Sequence, residues 1–296
     1  MKYSIVITTF NDSIEIIDLL DNISSFKRIP EKIIIADGGS RDNTVEIIES
    51  YYSKIQIKII QNGYLNIAQG LNLAISECDN EVFMICATGN IYDSEFSEKC
   101  LKAIESGADI SYGKLKGKID NNFQKKYSNA FLNGKNGIMP EIPSNHGVVI
   151  RKSVIDKYGG FLESLIRAGE DTEYYKYLMT KPIKVIPLDD VSVVWDVPKN
   201  IKELYSQIKW YSIASMQLDA NVNSLHICLK KIIKILFVFI GLTIFFTINL
   251  KFGLFVMACV ILLFFFNIKI MRLILQDYVV IKYRKYMNSK YLVKRV

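Results

Sequence analysis

Residues 32–44 read KIIIADGGSRDNT, and this stretch decides the fold of the first part of the chain. Its apolar run, 33–36, stops at Asp37 and two glycines. A run rich in β-branched residues and without polar alternation is typical of a strand buried on both faces. Gly38 and Gly39 permit a sharp turn, and apolar residues at helical spacing follow. The stretch therefore predicts Asp37 at the carboxyl end of a parallel strand, where open α/β sheets bind ligands.

A second segment of the same kind begins the chain. Residues 4–12, SIVITTFND, predict another buried strand that runs into a polar turn before a helix. An Asp-Gly-Gly turn alone is often only a turn, but two strand–loop–helix units build a crevice of nucleotide size. The two segments resemble the start of family 2 glycosyltransferases, whose GT-A domain holds a nucleotide-sugar. The resemblance implies that Thr8, Phe10 and Asp37 contact the nucleoside.

Two further segments extend the resemblance. Residues 66–72, NIAQGLN, resemble the small, polar helix start that the family places beneath the sugar-nucleotide. This implies a substrate contact for Asn72, and an exposed or self-capping asparagine is the alternative. Residues 81–86, EVFMIC, predict the next buried strand, which should end at the centre of the site.

The end of that strand lacks an acidic motif that the family normally carries. Asp-x-Asp binds a divalent cation there, but Ala87 and Gly89 occupy the two positions in this chain. The pattern is most similar to that of succinoglycan-type glucosyltransferases, although even the first aspartate of that branch is missing. Because Thr88 and Asn90 offer neutral oxygens and magnesium usually needs a carboxylate, we predict weak or absent metal dependence. Alternatively, a cation binds mainly to the donor's phosphates, with Asn90 as a poor ligand. The candidates for compensating positive charge are Arg151 and Arg167.

Residues 167–175, RAGEDTEYY, place two adjacent carboxylates at the start of a predicted helix. The helix dipole stabilises carboxylates there, and an ionised carboxylate can take the proton from a sugar hydroxyl. Together with the preceding GGF sequence, this segment resembles the catalytic segment of the family. The resemblance implies that Asp171 is the general base and that Glu170 supports loop geometry or acceptor contacts. A helix N-cap is the alternative for Asp171, and we interpret His146 as a positioned loop residue rather than a base.

Charge and cysteine usage limit the classes of function. The net charge is +7 and half of the residues are apolar, which is compatible with nucleic acid, an anionic membrane or phosphate-bearing substrates. No nucleic-acid-binding motif occurs in the sequence, so we exclude nucleic acid as a partner. The five cysteines form no CxxC pair, and with two histidines they do not predict a structural zinc site. Unpaired thiols and the absence of a signal peptide predict a cytoplasmic catalytic domain.

The last third of the chain predicts association with a membrane. Residues 202–216 have amphipathic helical spacing, and they resemble the aromatic interfacial helix of membrane-bound family members. This implies substrate contacts for Gln207 and Trp210, and an ordinary helix packed on the core is the alternative. Residues 232–250 and 252–268 are apolar and long enough to cross a bilayer. Lysines and arginines flank both ends, so the positive-inside rule predicts a hairpin with both flanks in the cytoplasm.

The expected organisation has four parts. An α/β domain of GT-A (Rossmann-like) type, a mixed and mostly parallel sheet flanked by helices, covers residues 1–200. An interfacial helix region, 201–229, two transmembrane helices, 230–275, and a basic cytoplasmic tail, 276–296, follow. We expect a mobile loop over residues 114–137 within the first part.

The resemblance implies an enzyme at the inner (plasma) membrane, with both termini cytoplasmic. It would transfer a sugar, with inversion, from a nucleotide-sugar to a lipid-linked glycan during surface polysaccharide assembly. A UDP-sugar is the expected donor, and the expected partners are a glycan acceptor and membrane lipid. The alternative function is that of a catalytically silent, nucleotide-sugar-binding subunit that scaffolds a partner transferase.

Overall fold

The strands predicted in the first fifty residues form part of a mixed sheet. The computed structural model describes residues 1–51, 55–61, 63, 65–165, 168–218, 272, 275–276 and 278. Within these residues the sheet has eight strands in the order β3-β2-β1-β4-β7-β6-β8-β5. The strands are β1 Ser4–Thr9, β2 Lys32–Asp37, β3 Gln56–Gln61, β4 Val82–Ala87, β5 Ile91–Tyr92, β6 Ile110–Gly117, β7 Val148–Arg151 and β8 Val185–Trp195.

Helices connect most of these strands. Within the described residues they are α1 Glu15–Ser24, α2 Thr44–Ser50, α3 Ile67–Ser76, α4 Phe96–Glu105, α5 Asn122–Phe131, α6 Lys152–Tyr158, α7 Glu170–Leu178 and α8 Ile201–Leu218, with a 3-10 turn at Gly134–Asn136. The start of α3 shows why the sequence folds as it does. Asn66 accepts a hydrogen bond from the backbone of Gln69, whose side chain in turn accepts one from the Asn66 N–H. This capping box satisfies two amide groups that a helix start leaves free.

The direction of the strands brings their carboxyl ends to one edge of the sheet. Strands β3, β2, β1 and β4 are parallel, with Thr9 beside Asp37 and Thr8 beside Ala87. Strand β7 runs antiparallel between β4 and β6, while β6 and β8 run parallel to each other. The chain therefore confirms the prediction of a mixed, mostly parallel sheet. Its order reverses around β1, which leaves a crevice at the carboxyl ends of β1, β2 and β4.

Both faces of the central strands are buried. On one face, Val6 and Ile34 pack in a cluster with residues of α3, α6 and α7. The alternating residues Ile5 and Ile7 are also fully buried, toward the opposite face. Burial of both faces explains the apolar runs without polar alternation, because neither face of these strands meets water.

The predicted mobile loop over residues 114–137 is wrong. Strand β6 extends to Gly117, and helix α5 and the 3-10 turn occupy most of the remainder. The Asn121 side chain caps α5 by accepting the Gln124 N–H at 2.9 Å. The buried face of the helix consists of Gln124, Tyr127 and Ser128. Because two of these residues are polar, the hydrophobic spacing that would indicate a helix is absent from the sequence.

The last strand is longer than the sequence pattern indicates. Residues 183–187 and 191–195 read as two strands, but β8 runs without interruption from Val185 to Trp195. Its pairing with β6 shifts register: Leu188 lies opposite Gly113, and Ser192 opposite Lys114. The polar residues between them form a bulge, which breaks the apolar pattern without ending the strand.

The chain divides into two compact units, residues 1–197 and 198–296. In the second unit, α8 begins at Ile201, and the Asn200 side chain accepts the backbone N–H of Glu203 at 3.0 Å. Among the described residues, no helix combines the length and apolar character needed to cross a bilayer. The predicted spans at 232–250 and 252–268 lie outside the described residues.

Candidate active site

Asp37 shapes the first loop of the crevice. It is the last residue of β2, is 3% exposed, and accepts the backbone N–H groups of Gly39 and Ser40 at 3.0 Å. The Ser40 hydroxyl donates to the same carboxylate. Gly39 has φ = 87°, a left-handed conformation in which glycine avoids the penalty of a Cβ. An open cavity of about 430 Å³ beside this loop is lined in part by Asp37 and Asp42.

Thr8 and Phe10 lie at the end of β1, next to this loop. The Thr8 side chain faces α3, where a Cβ on Gly70 would lie 2.9 Å from its methyl carbon. Phe10 follows the strand and is 45% exposed, so its ring is accessible to a ligand. The two residues and Asp37 therefore border one crevice, and their contact with a nucleoside stays a prediction.

Asp12 connects the β1 loop with the end of β4, and the sequence analysis missed it. Its Oδ2 accepts hydrogen bonds from the Thr9 hydroxyl, the Phe10 N–H and the Thr88 hydroxyl at 2.9–3.1 Å. The Asp12 N–H donates to the Thr44 hydroxyl at the start of α2. Through its carboxylate and its backbone N–H, Asp12 thus joins three strand–loop units. A local signal existed, because Asp12 follows a buried strand as Asp37 does.

Hydrogen bonds of Asn90 and Tyr92, together with the Thr88–Asp12 bond, hold the turn after β4. Asn90 is 4% exposed, and its Nδ2 lies 3.2 Å from both Nδ1 and the carbonyl oxygen of His146. The Tyr92 hydroxyl accepts the Ala87 N–H at 2.9 Å. Gly89 has φ = 75° and supplies no side chain. Asn90 is therefore part of the crevice floor.

The residues of this turn do not fit a divalent cation of the Asp-x-Asp kind. Asp12 brings a carboxylate, but its Oδ2 already accepts three hydrogen bonds. Asp93 is engaged elsewhere, with the N–H and hydroxyl of Ser192 at 2.7 and 2.9 Å. The described residues include no group of three or more His, Cys, Asp or Glu side chains arranged to hold a metal. The mechanism proposed for this site therefore relies on the side chains of the chain alone.

The carboxylate pair lies at the start of α7. Glu170 is the first residue of the helix and Asp171 the second, after the N-cap Gly169, so Asp171 is not the N-cap. Glu170 is 7% exposed, and burial, followed by the charge of Asp171, raises its pKa to about 7. Asp171 is half-buried, and its Oδ1 accepts the Thr172 N–H. Glu170 is therefore partly protonated near neutral pH, beside the more accessible carboxylate of Asp171.

The loop that precedes β7 joins the carboxylate pair to the turn after β4. The Asn145 amide donates to Glu170 Oε1 at 3.4 Å and accepts the Tyr175 hydroxyl at 2.9 Å. The next residue, His146, bonds to Asn90. The loop residues 145–146 therefore contact both sides of the cleft, a connection that the sequence pattern did not reveal.

Asn72 holds the segment that leads to the carboxylates. Its amide donates to the Phe161 carbonyl and to Glu163, each at 2.8 Å, and accepts the Phe161 N–H at 2.8 Å. The approach is close: a Cβ on Gly160 would lie 2.3 Å from Asn72 Oδ1. Asn72 is thus neither exposed nor self-capping. Its predicted substrate contact stays a prediction.

Of the two arginines expected to compensate the diphosphate charge, the structure describes Arg151 and does not support its role. Arg151 pairs with Val82, the first residue of β4, and so lies at the opposite edge of the sheet from Ala87. Its guanidinium donates to the carbonyl groups of Ala108 and Ile104. The assignment of Arg151 is therefore wrong. Arg167 lies outside the described residues.

Gln207 and Trp210 belong to α8, in the second unit. Both are partly buried, and the Lys209 ammonium lies 4.6 Å from the centroid of the Trp210 ring. Their contact with substrate stays a prediction.

The sheet order and the crevice at its carboxyl edge place the chain in the GT-A class of glycosyltransferase folds. The model of glycosyl transferase family 2 matches residues 4–159, which is more than half of the chain. The chain therefore belongs to glycosyl transferase family 2.

A curated relative matches part of the chain. The poly(ribitol-phosphate) β-N-acetylglucosaminyltransferase TarS of Staphylococcus aureus (strain Mu50) is 25% identical over 122 residues. The match covers 40% of this chain and about a fifth (21%) of the length of TarS.

Solved structures share the fold. Residues 1–349 of S. aureus TarS superpose with a TM-score of 0.53 at 19% identity, covering 72% of this chain and 65% of that chain. The same protein with UDP-GlcNAc gives a TM-score of 0.53 at 17% identity, with coverages of 72% and 66%. The mannosyltransferase PcManGT of Pyrobaculum calidifontis, in complex with GDP-Man and Mn²⁺, gives 0.57 at 16% identity, with coverages of 73% and 62%. At these identities the likeness shows the GT-A fold.

Proposed function

We propose that this protein transfers a sugar from a nucleotide-sugar donor, a UDP-sugar, to a glycan acceptor carried by a membrane lipid. Family membership supports transfer from a nucleotide-sugar, and TarS, a neighbour in fold, has been solved with UDP and with UDP-GlcNAc. One observation carries the proposal. The hydrogen bonds Asn90–His146 and Asn145–Glu170 join the strand-end crevice to the carboxylate pair, so both line one cleft.

The mechanism is a single displacement with inversion. An acceptor hydroxyl attacks the anomeric carbon, a new carbon–oxygen bond forms, and the bond to the diphosphate breaks. Asp171 takes the proton of the attacking hydroxyl, because a carboxylate at a helix start is stabilised in its ionised form. The pKa of Glu170, raised to about 7, keeps part of the population protonated near neutral pH, and in that form the side chain can donate a hydrogen bond to the acceptor without adding a second charge. Holding both substrates in this cleft supplies the orientation that the reaction needs.

Replacing Asp171 by Asn tests the base. We expect a loss of transfer of 100-fold or more, on the order of what a positioned general base contributes, with nucleoside diphosphate affinity unchanged. The measurement is transfer of radiolabelled sugar by membrane preparations supplied with a panel of nucleotide-sugars. Asp156→Asn, which changes an exposed carboxylate on α6, is the matched control. Full activity of Asp171→Asn would show that another group is the base.

A second candidate function rests on the turn after β4. Ala87 and Gly89 bring no carboxylates to a position where the family carries two, so a silent subunit that binds a nucleotide-sugar and recruits a partner transferase is the alternative. Nucleotide-sugar binding without turnover, together with stable co-purification of a second transferase, would favour it. Turnover by the purified chain would exclude it.

A further inference from the structure

His146 stands between the two sides of the cleft. Its backbone carbonyl and ring bond to Asn90 at the end of β4, and its neighbour Asn145 bonds to Glu170 at the start of α7. Its ring packs on Trp195 with a centroid distance of 4.8 Å and an interplanar angle of 40°. The imidazole is therefore fixed in position.

The bonds around Asn90 determine which ring nitrogen of His146 carries hydrogen. A backbone carbonyl can only accept, so the amide atom 3.2 Å from the His146 carbonyl oxygen must be the NH₂ nitrogen. The same nitrogen lies 3.2 Å from His146 Nδ1. The Tyr92 hydroxyl is a third neighbour of this nitrogen, at 3.4 Å. Because the two hydrogens of the NH₂ group bond to the two nearer acceptors, Nδ1 accepts. A neutral imidazole that accepts at Nδ1 carries its hydrogen at Nε2.

The ring is neutral at physiological pH. Burial lowers the pKa of His146, and the nearby charge of Asp171 opposes this shift without reversing it. Among the described residues, no hydrogen-bond partner lies at Nε2 of this half-buried ring. The Nε2–H group is thus an oriented donor that the protein itself does not satisfy.

We propose that His146 is a substrate contact in which Asn90 fixes the tautomer and Nε2–H donates to a substrate oxygen. The inference rests on the proposed function, because it places a nucleotide-sugar and an acceptor in this cleft. Two substrate oxygens could take the bond: a phosphoryl oxygen of the nucleoside diphosphate, or the acceptor hydroxyl that gives its proton to Asp171. As the bond to the diphosphate breaks, a phosphoryl oxygen gains negative charge, which a neutral, oriented N–H stabilises. A bond to the acceptor hydroxyl would instead orient that hydroxyl towards the anomeric carbon.

The tautomer can be tested without any catalytic activity. The full chain has two histidines, so a His226→Gln variant labelled with ¹⁵N-histidine shows the ring of His146 alone. We expect a protonated Nε2 and a bare Nδ1 at pH 7. In an Asn90→Asp variant, Nδ1 should become protonated, because a carboxylate attracts hydrogen to Nδ1 and favours the imidazolium. A wild-type ring with hydrogen on Nδ1, or an imidazolium at pH 7, would overturn the inference.

Two variants at His146 separate hydrogen bonding from packing. His146→Phe keeps a flat ring against Trp195 but removes the donor, while His146→Gln keeps an N–H at similar reach. UDP binding is measured by titration calorimetry, and transfer by initial rates over a range of acceptor concentrations. We expect UDP affinity or the transfer rate, according to which oxygen takes the bond, to fall about 10-fold in His146→Phe, the size of one hydrogen bond to a charged oxygen. His146→Gln should recover most of this loss.

UDP binding and kcat together identify the substrate oxygen that accepts the Nε2–H bond of His146. Weaker UDP binding by His146→Phe, restored by His146→Gln, assigns the bond to the diphosphate. Unchanged UDP binding with a lower kcat, restored in the same way, assigns it to the acceptor hydroxyl. Equal losses in both variants would indicate a packing role and overturn the inference, as would wild-type behaviour of His146→Phe. The ¹⁵N measurement tests the tautomer even if no transfer is detected, and a hydrogen on Nδ1 there would still overturn the inference.

Discussion

At the scale of single residues, the burial of Glu170 makes stability depend on pH. Burial and the charge of Asp171 raise its pKa from an ordinary value of 4.5 to about 7, so between these values the folded protein binds more protons than the unfolded chain. The free energy of unfolding therefore falls as pH rises through this window, by up to about 1.4 kcal/mol per unit. Glu170→Gln should flatten this slope in denaturant unfolding measured from pH 4.5 to 8. Asp156→Asn should retain it, and a slope that persists in Glu170→Gln would assign it to another group.

Sequence patterns predict some residues of the candidate site and miss others. Asp37 and the pair Glu170–Asp171 could be predicted, because each stands where an apolar run or a helix begins or ends. The position of Asp12 after a buried strand is a local signal, but the roles of Asp12 and Asn145 depend on distant partners: Thr88 is 76 positions from Asp12. Such contacts follow from strand order, which no local window of sequence contains.

Among the elements, α3 holds the segment that precedes Glu170 and Asp171, through the hydrogen bonds of Asn72. Asn72→Ala would remove its bonds to both backbone groups of Phe161, a residue 3% exposed, and leave them without these partners. We expect a loss of about 1–3 kcal/mol in the free energy of unfolding and a lower kcat. Chemical denaturation and initial rates measure the two effects. Ser76→Ala, an exposed position on the same helix, is the control and should stay within about 0.5 kcal/mol of wild type.

Helix α5 gives a second test at this scale. Removing the cap with Asn121→Ala should lower stability by about 1 kcal/mol and speed amide exchange over Asn122–Phe131. Asn122→Ala, one position inside the helix, replaces a residue that does not provide this cap and should be neutral or slightly stabilising. Rapid exchange of the whole segment in the wild-type protein would restore the prediction of a mobile loop.

The burial of each element explains why β1 and β2 were predicted, while helix α5 was missed and a mobile loop was expected in its place. The central strands are buried on both faces, so apolar residues alone specify them. Helix α5 buries Gln124, whose amide donates to the Val197 carbonyl at 3.1 Å. A buried polar residue satisfied by a distant carbonyl looks like a surface residue in the sequence.

For the whole molecule, we predict that transfer keeps most of its rate in excess EDTA. Among the described residues, Ala87 and Gly89 bring no carboxylate to the turn after β4. The nearby carboxylates of Asp12 and Asp196 accept hydrogen bonds from the Thr88 hydroxyl and the Gln124 amide, respectively. The measurement is sugar transfer with and without chelator. If transfer vanished with EDTA and returned with millimolar magnesium or manganese, the prediction would be wrong and Asn90 would be the first residue to mutate.

The topology of the whole chain remains a prediction and can be tested directly. A reporter fused after Val296 should lie in the cytoplasm, because basic residues flank both predicted spans. A matched fusion after Lys251, between the spans, should lie on the outer side. A tail accessible from outside would mean that a single span is present.

The pairing of β5 with β8 has a consequence for synthesis on the ribosome. Ser192 binds Asp93 across 99 positions, and Val185 pairs with Ile110, so the far half of the sheet closes late. Domains generally fold from the N-terminus as they emerge, and pairings between distant positions form slowly. The loops after β1 and β2, which we propose contact the nucleotide, thus emerge from the ribosome before Glu170 and Asp171. On the proposed function, a nascent chain therefore acquires the means to hold a donor before it acquires the means to use it.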